Sequence, residues 1–434
     1  MTSNDLSNFR FAYCALTSIV CLFIVGCANK EPTKVTFAFG ADDKGSVSKL
    51  VSEFNEANQG EILVEFRLGQ RLSNDFFDEL AVDFTVGGSD IDVWAADVVW
   101  TAYFAERGWA ADLTEKFQDG FSEDDFTEVP LHSATYNDKI WGVPWFTEAG
   151  FLYYRKDLLD QHGISGPPST WSELFSICQE IKATNQEINH GFLFQADAYE
   201  GGVANACEFI WNAGGRIAGT YDASMQEIND TTGLSGKTIE GLSVAAQLVQ
   251  DGISPRNVAN YREMECLQHF IGGHAIFMRG WPAIRGEFLK PGVKVKAEMV
   301  GISALPTTSQ DLPSRSCLGG WNLMLNASLP EKKKEAAWQF IVFLSSRDAQ
   351  LSRLQEVGAL PTLRALYQDQ SLHSEISFIP EAYQIIEHSL HRPMTPQYKE
   401  LSPFIATVFQ SVVRGTLTPE NALRDLEIHL AGLD

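Results

Sequence analysis

The sequence predicts an α/β protein of two domains, each a mainly parallel sheet flanked by helices. Three observations carry that prediction. About 400 of the 434 residues remain after an N-terminal apolar segment is set aside, more than one hydrophobic core usually organises. The first part of what remains alternates strand and helix signals, and a second alternation of the same kind begins after a Gly- and Pro-containing stretch near Gly142 to Arg155.

Residues 1–26 read as a signal peptide. The apolar run from Phe11 to Val25 is 15 residues long, short of the ~20 that span a bilayer and suited to a signal core. It ends in Ile24-Val25-Gly26-Cys27, which looks like a bacterial lipobox. Cleavage before Cys27 and acylation of that residue would leave the mature protein anchored to a membrane from its first residue. A buried N-terminal helix is the competing reading, and Arg10 is the only basic side chain ahead of the run.

In the mature chain, Val35 to Phe39 reads as a buried strand. Val47, Leu50, Val51 and Phe54 then recur at helical spacing until Gly60. Ile62 to Leu68 and Ile91 to Ala95 follow as strands, giving β-α-β order. Ser169-Thr170 with Glu173 offers a capping signal for a helix carrying Leu174, Cys178 and Ile181. Glu331 to Gln355 reads as one or two helices. Trp94, Trp100, Trp109 and Trp338 sit within apolar strand or helix patterns and are assigned to the core.

A formal net charge of -23 repels phosphate backbones and anionic headgroups, which argues against nucleic acid as a partner. Of the seven cysteines, Cys178, Cys207, Cys266 and Cys317 belong to the folded part. Their spacing matches no zinc or redox motif, and both disulfides and buried thiols remain open readings. The scattered histidines suggest no metal site, and no cofactor is implied.

Five separated segments combine aromatic residues, Gly or Pro turns and a polar group: Trp94 to Asp97 with Trp100, Gly142 to Gly150, Arg279 to Pro282, Leu318 to Asn322, and His391 to Tyr398. Sugars ask for this mixture, because their C–H faces pack on aromatic rings while their hydroxyls need planar groups that accept or donate hydrogen bonds in pairs.

Gly142 onward through Tyr153-Tyr154-Arg155-Lys156-Asp157-Leu158-Leu159, with Arg279-Gly280-Trp281-Pro282, Gly319-Gly320-Trp321, Arg392-Pro393 and Tyr398, resembles the family 1 extracellular solute-binding proteins of ABC importers. It is most similar to the trehalose/maltose-binding branch. The resemblance spans the mature chain and implies a two-lobed periplasmic-binding-protein fold, with discontinuous lobes joined by crossing hinge segments. It places residues 27–145 plus 283–329 in lobe 1 and 146–282 plus 330–434 in lobe 2, with hinges near Trp145, Trp281 and Leu329.

The resemblance also implies a ligand set. Asp97 and Glu148 match carboxylates that accept from sugar hydroxyls, Trp281 and Trp321 match stacking rings, Gly320 matches backbone close to the sugar, and Arg392 matches a guanidinium bridging two hydroxyls. Phe146 stands where relatives often carry Tyr, and Glu148 where many carry Asp. Asp43, beside Asp42 and Lys44, lies on a loop that often touches ligand, and Glu200 in Tyr199-Glu200-Gly201 on another. Asp97 also fits as the cap of the following helix, and Arg392 as a structural ion-pair partner.

The implied function is a lipid-anchored carrier facing the periplasm or cell exterior. It would be monomeric, and would deliver a di- or oligosaccharide or glycosylated polyol such as glucosylglycerol to an ABC permease. Two alternatives compete: a glycoside hydrolase using Asp97 and Glu148 as acid and base, and a polyamine binder of the same fold.

Overall fold

The structure, a computed structural model, describes residues 31–86, 90–217, 220–221, 227–228 and 235–432. Cys27 and the apolar segment before it lie outside the described residues. Numbering the strands of the two main sheets in chain order gives β1 (Thr33–Phe39), β2 (Ile62–Leu68), β3 (Val93–Asp97), β4 (Val143–Ala149), β5 (Phe151–Arg155), β6 (His190–Leu193), β7 (Ala275–Gly280), β8 (Val300–Ser303) and β9 (Leu318–Leu325). The principal helices are α1 (Ser46–Ala57), α2 (Ser73–Thr85), α3 (Trp171–Thr184), α4 (Glu200–Trp211), α5 (Ser235–Gln250), α6 (Glu263–Ile271), α7 (Glu331–Leu344), α8 (Arg347–Val357), α9 (Ile379–Glu387) and α10 (Tyr398–Val413).

Each lobe is a sheet with helices packed on it. The first sheet runs β2-β1-β3-β9-β4 and the second β8-β5-β7-β6. In the first, β1 pairs parallel with β2 and β3, as β-α-β order requires. The sheets are nevertheless mixed rather than mainly parallel. β9 runs antiparallel to β3 and β4, and β5 runs antiparallel to β7 and β8. These strands enter from the other lobe instead of through a crossover helix, so no handed βαβ connection fixes their direction.

Local signals explain several elements. Val47, Leu50, Val51 and Phe54 form the buried stripe of α1, and the Asp42 carboxylate accepts from the Val47 amide at 2.8 Å to cap it. At α3 the Thr170 hydroxyl accepts from the Glu173 amide while the Glu173 carboxylate accepts from the Thr170 amide, both at 3.2 Å. The 331–355 stretch is two helices, α7 and α8. The second starts afresh where Ser346 caps the Ala349 amide. Trp94, Trp100 and Trp338 are buried in the first lobe's apolar clusters, with Trp109 partly buried beside them. Cys178, Cys207, Cys266 and Cys317 are free, buried thiols.

Strand pairing divides the chain differently from the expected boundaries. β4 stays in the first sheet as far as Ala149, so the boundary expected after Trp145 falls inside a strand. β8, expected in lobe 1, pairs with β5 in the second sheet. α7, expected in lobe 2, buries Ala337, Trp338, Phe340 and Ile341 in the first lobe's core. The lobes meet instead where Gly150, Ser316 to Leu318 and Leu390 run side by side. The Gly150 amide donates to Cys317 O at 3.3 Å, and across this seam the Leu318 amide donates to Leu390 O and the Leu390 amide to Ser316 O, both at 2.9 Å. Crossing strands continue without a break in apolar pattern, and only Gly150 separates β4 from β5, so periodicity carries no mark of the crossing.

Candidate functional site

The site forms where the carboxyl end of β3 and one face of β4 and β9 look across at the second lobe, the end of a parallel arrangement at which open α/β sheets leave a crevice. β4 carries a bulge. Trp321 pairs with Phe146 but Asn322 pairs with Pro144, leaving Trp145 as the extra residue. A bulge puts two successive side chains on one side and re-aims the strand. Trp145 and Phe146 accordingly both pack edge-on against Phe39. Gly320 makes the close strand approach feasible. Its φ is +118°, and a Cβ there would lie 2.4 Å from Phe146 O.

Beyond the bulge Phe146 and Glu148 share a face, opposite Trp321 and Gly319 in the register. Trp321 is half-buried, with its ring 5.1 Å from Phe39 and 5.3 Å from Trp100. The missing side chain of Gly319 admits an edge from the other lobe, since a Cβ there would sit 3.0 Å from Cζ3 of Trp281 and 3.3 Å from Cβ of Glu148. The Trp281 Nε1 donates to Glu263 Oε1 at 3.3 Å, and the Arg279 guanidinium covers one face at 3.7 Å from the ring centre. Glu148, half-buried, makes no hydrogen bond among the described residues. Burial, reinforced by Asp97 and Glu263 and opposed by Arg279, pushes its carboxyl up to about 7.

The remaining predicted residues form a second group. Asp97 ends β3 and is buried. It accepts from the Ser73 hydroxyl at 2.9 Å and from Arg392 Nη2 at 3.1 Å. Its Oδ1 also accepts from the Val99 amide at 3.4 Å, ahead of the helix Thr101–Glu106. Glu200, at the start of α4, accepts from Arg392, from the Tyr398 hydroxyl and from Ser402 at 2.7 Å. Arg392 thus bridges a carboxylate from each lobe, as the ion-pair reading expected, and its Nε has no hydrogen-bond partner among the described residues. Burial drives the Asp97 carboxyl upward, with Arg392 opposing and Glu200 adding to it. Asp43 is exposed and pairs with Arg71 at 2.9 Å, and among the described residues it makes no hydrogen bond to either group. Between α2 and α10 a cavity of about 100 Å³ is lined by Ser73, Phe77, Trp100, Glu200, Tyr398 and Ser402.

Sequence reading missed two residues here. Gly319 appeared only as part of a motif, yet its lack of a side chain lets Trp281 reach the first lobe. Arg353 of α8 is buried with its guanidinium carbon 3.9 Å from the centre of the Trp145 ring and 4.4 Å from that of Phe146. Its Nε and Nη1 have no hydrogen-bond partner among the described residues. Burial pulls it down to about 9, against the pull of Glu148 and Asp43. Nothing in the sequence marks it, because an arginine in a Gln- and Ser-containing helix reads as a solvated face.

Rings and carboxylates from both lobes thus come together at one site. Residues 40–351 match the bacterial extracellular solute-binding proteins. A probable ABC transporter-binding protein of Deinococcus radiodurans is 31% identical over 349 residues, covering 79% of this chain and 80% of that one. Maltose-bound MalE3 of T. maritima is 31% identical, with a TM-score of 0.81 over 92% of this chain and all of that one. A solute-binding protein from Thermotoga lettingae bound with α-D-tagatose, at 24% identity and a TM-score of 0.77 over 93% of this chain and 100% of that one, shares the fold. ABC-transporter binding proteins are carriers and not enzymes, which sets aside the hydrolase reading of Asp97 and Glu148. With the family match spanning most of the chain and the two-lobed α/β architecture in place, this chain belongs to the bacterial extracellular solute-binding proteins.

Proposed function

We propose that this chain captures a neutral di- or oligosaccharide, or a glycosylated polyol such as glucosylglycerol, between its lobes and delivers it to an ABC permease. The observation that carries the reading is the meeting of Glu148, Trp281 and Trp321 around Gly319 and Gly320. There a sugar ring would stack on indole while its hydroxyls donate to a carboxylate. Phe146, Asp97, Glu200 and Arg392 complete the proposed site, with Asp43 at its margin. The maltose bound to the T. maritima relative supports this class of ligand. A polyamine is disfavoured by the buried guanidinium of Arg353 beside Trp145 and Phe146, which would repel it.

The proposed mature chain starts at Cys27, acylated there after removal of residues 1–26, and works as a monomer on the outer face of the membrane. A Cys27→Ser variant is expected to lose lipid labelling, and labelling that persists would refute the anchor. A thermal-shift screen of residues 28–434 against disaccharides, glucosylglycerol, monosaccharides and polyamines tests the ligand class, because a ligand bound only by the folded state raises apparent stability. A shift with an α-linked disaccharide or glucosylglycerol supports the reading, and a shift with polyamines alone overturns it.

A further inference from the structure

One buried ion pair touches both the Trp281 ring and the seam between the lobes. Arg279, on β7, donates from Nε to Glu208 Oε2 at 2.9 Å and from Nη2 to Glu208 Oε1 at 2.7 Å, the two-pronged geometry that fixes a guanidinium plane. Nη1 reaches Gln195 at 3.3 Å. The same guanidinium lies over the Trp281 ring. Glu208, on α4, also accepts the Cys317 amide at 3.0 Å. Gly150 packs so closely that a Cβ there would meet Glu208 Oε1 at 2.0 Å and Arg279 Nη2 at 2.8 Å. Both partners are almost wholly buried, at 1% and 4% side-chain exposure.

A buried pair of this kind is often no more stabilising than apolar side chains of similar volume. What this one supplies is position. It backs one face of an indole that otherwise projects from a loop, and it anchors that backing to Gly150 and Cys317, the residues at which the chain passes between sheets.

We infer that Glu208 is a positioning residue for ligand binding: through Arg279 it sets the plane of Trp281, and through the Cys317 amide it ties that plane to the crossing strands. The inference deepens the carbohydrate reading and rests on it for the ligand, but not for the ring geometry.

The test uses residues 28–434 labelled with 5-fluorotryptophan, with the Trp281 and Trp338 resonances assigned from Trp281→Phe and Trp338→Phe. In Glu208→Gln the Trp281 resonance is expected to shift and broaden while that of Trp338, in the first lobe's core, stays in place. Arg279→Lys keeps the charge pair but removes the planar group over the ring, and is expected to move the same resonance. It decides the matter if Glu208→Gln does not fold. Calorimetric titration with maltose and trehalose should show about tenfold weaker binding in either variant. A Trp281 resonance unmoved in the folded variants, or moved together with Trp338, overturns the inference. If the wild type binds neither sugar, these two are not its ligands, and the fluorine spectra still decide the role of Glu208.

Discussion

At the scale of single residues, the two tryptophans proposed to stack on ligand differ in what else they do. Trp281 stands in a loop with Arg279 behind it, whereas Trp321 is one ring of a cluster with Phe39, Phe76 and Trp100. Replacing Trp281 with Ala is expected to weaken sugar binding by about 1–3 kcal/mol with a small change in unfolding midpoint. The same change at Trp321 should weaken binding and also cost roughly 3 kcal/mol or more of stability, since it empties a packed site. Calorimetry paired with urea denaturation separates the two effects. Glu148 adds a pH dependence. Its carboxyl is raised from 4.5 to about 7 in the folded protein, so the fold favours the protonated form. That contribution to stability is complete below about pH 4.5 and is lost as the pH rises through 7. Ligand hydroxyls need the ionised form as acceptor, so affinity is expected to climb between pH 6 and 8 in the wild type. Titrations of Glu148→Gln across that range should be flat, and an unchanged slope in the variant would remove Glu148 from the site.

At the scale of elements, the bulge in β4 opposite Gly320 brings the site together. A Gly320→Ala change forces a side chain into a left-handed backbone and against Phe146 O, and is expected to cost about 1–3 kcal/mol in a denaturant titration. It should reduce binding as well, because Phe146 and Trp321 face each other across that register. Individual elements were readable where a local signal sufficed: the apolar stripe of α1 and the capping box of α3; the 331–355 stretch reads as one or two helices, and its break at Ser346 appears only in the structure. The pairing of β9 with β3 and of β5 with β8 was not, because antiparallel partners supplied from the other lobe leave no trace in nearby sequence. The site divides the same way. Trp281, Trp321, Glu148 and Arg392 stand in distinctive aromatic or Gly/Pro contexts that the family resemblance could place. Arg353 depends on a helix folding back over Trp145, and the link from Glu208 to Arg279 spans 71 positions.

At the scale of the whole molecule, the lobes touch through Arg392, which holds Asp97 on one side and Glu200 on the other, and through Lys399 and Asp78 at 2.7 Å. Because the groups proposed to hold the ligand stand on both lobes, binding is expected to close the lobes about the seam at Gly150, Cys317 and Leu390, as in hinge-type binding proteins. X-ray scattering should report a smaller radius of gyration with saturating ligand than without. Identical profiles would mean that the lobes do not close on it. The most direct test of the central claim, that a neutral saccharide is held between the lobes by Glu148 and Trp281, is calorimetric titration of the saccharide panel into the wild type and a Glu148→Gln/Trp281→Ala double variant. The expected result is saturable binding of at least one α-linked disaccharide or glucosylglycerol by the wild type and at least a hundredfold loss in the folded double variant, about 2.7 kcal/mol or more. Equal affinity in the two proteins, or no binding of any saccharide by the wild type, would contradict it.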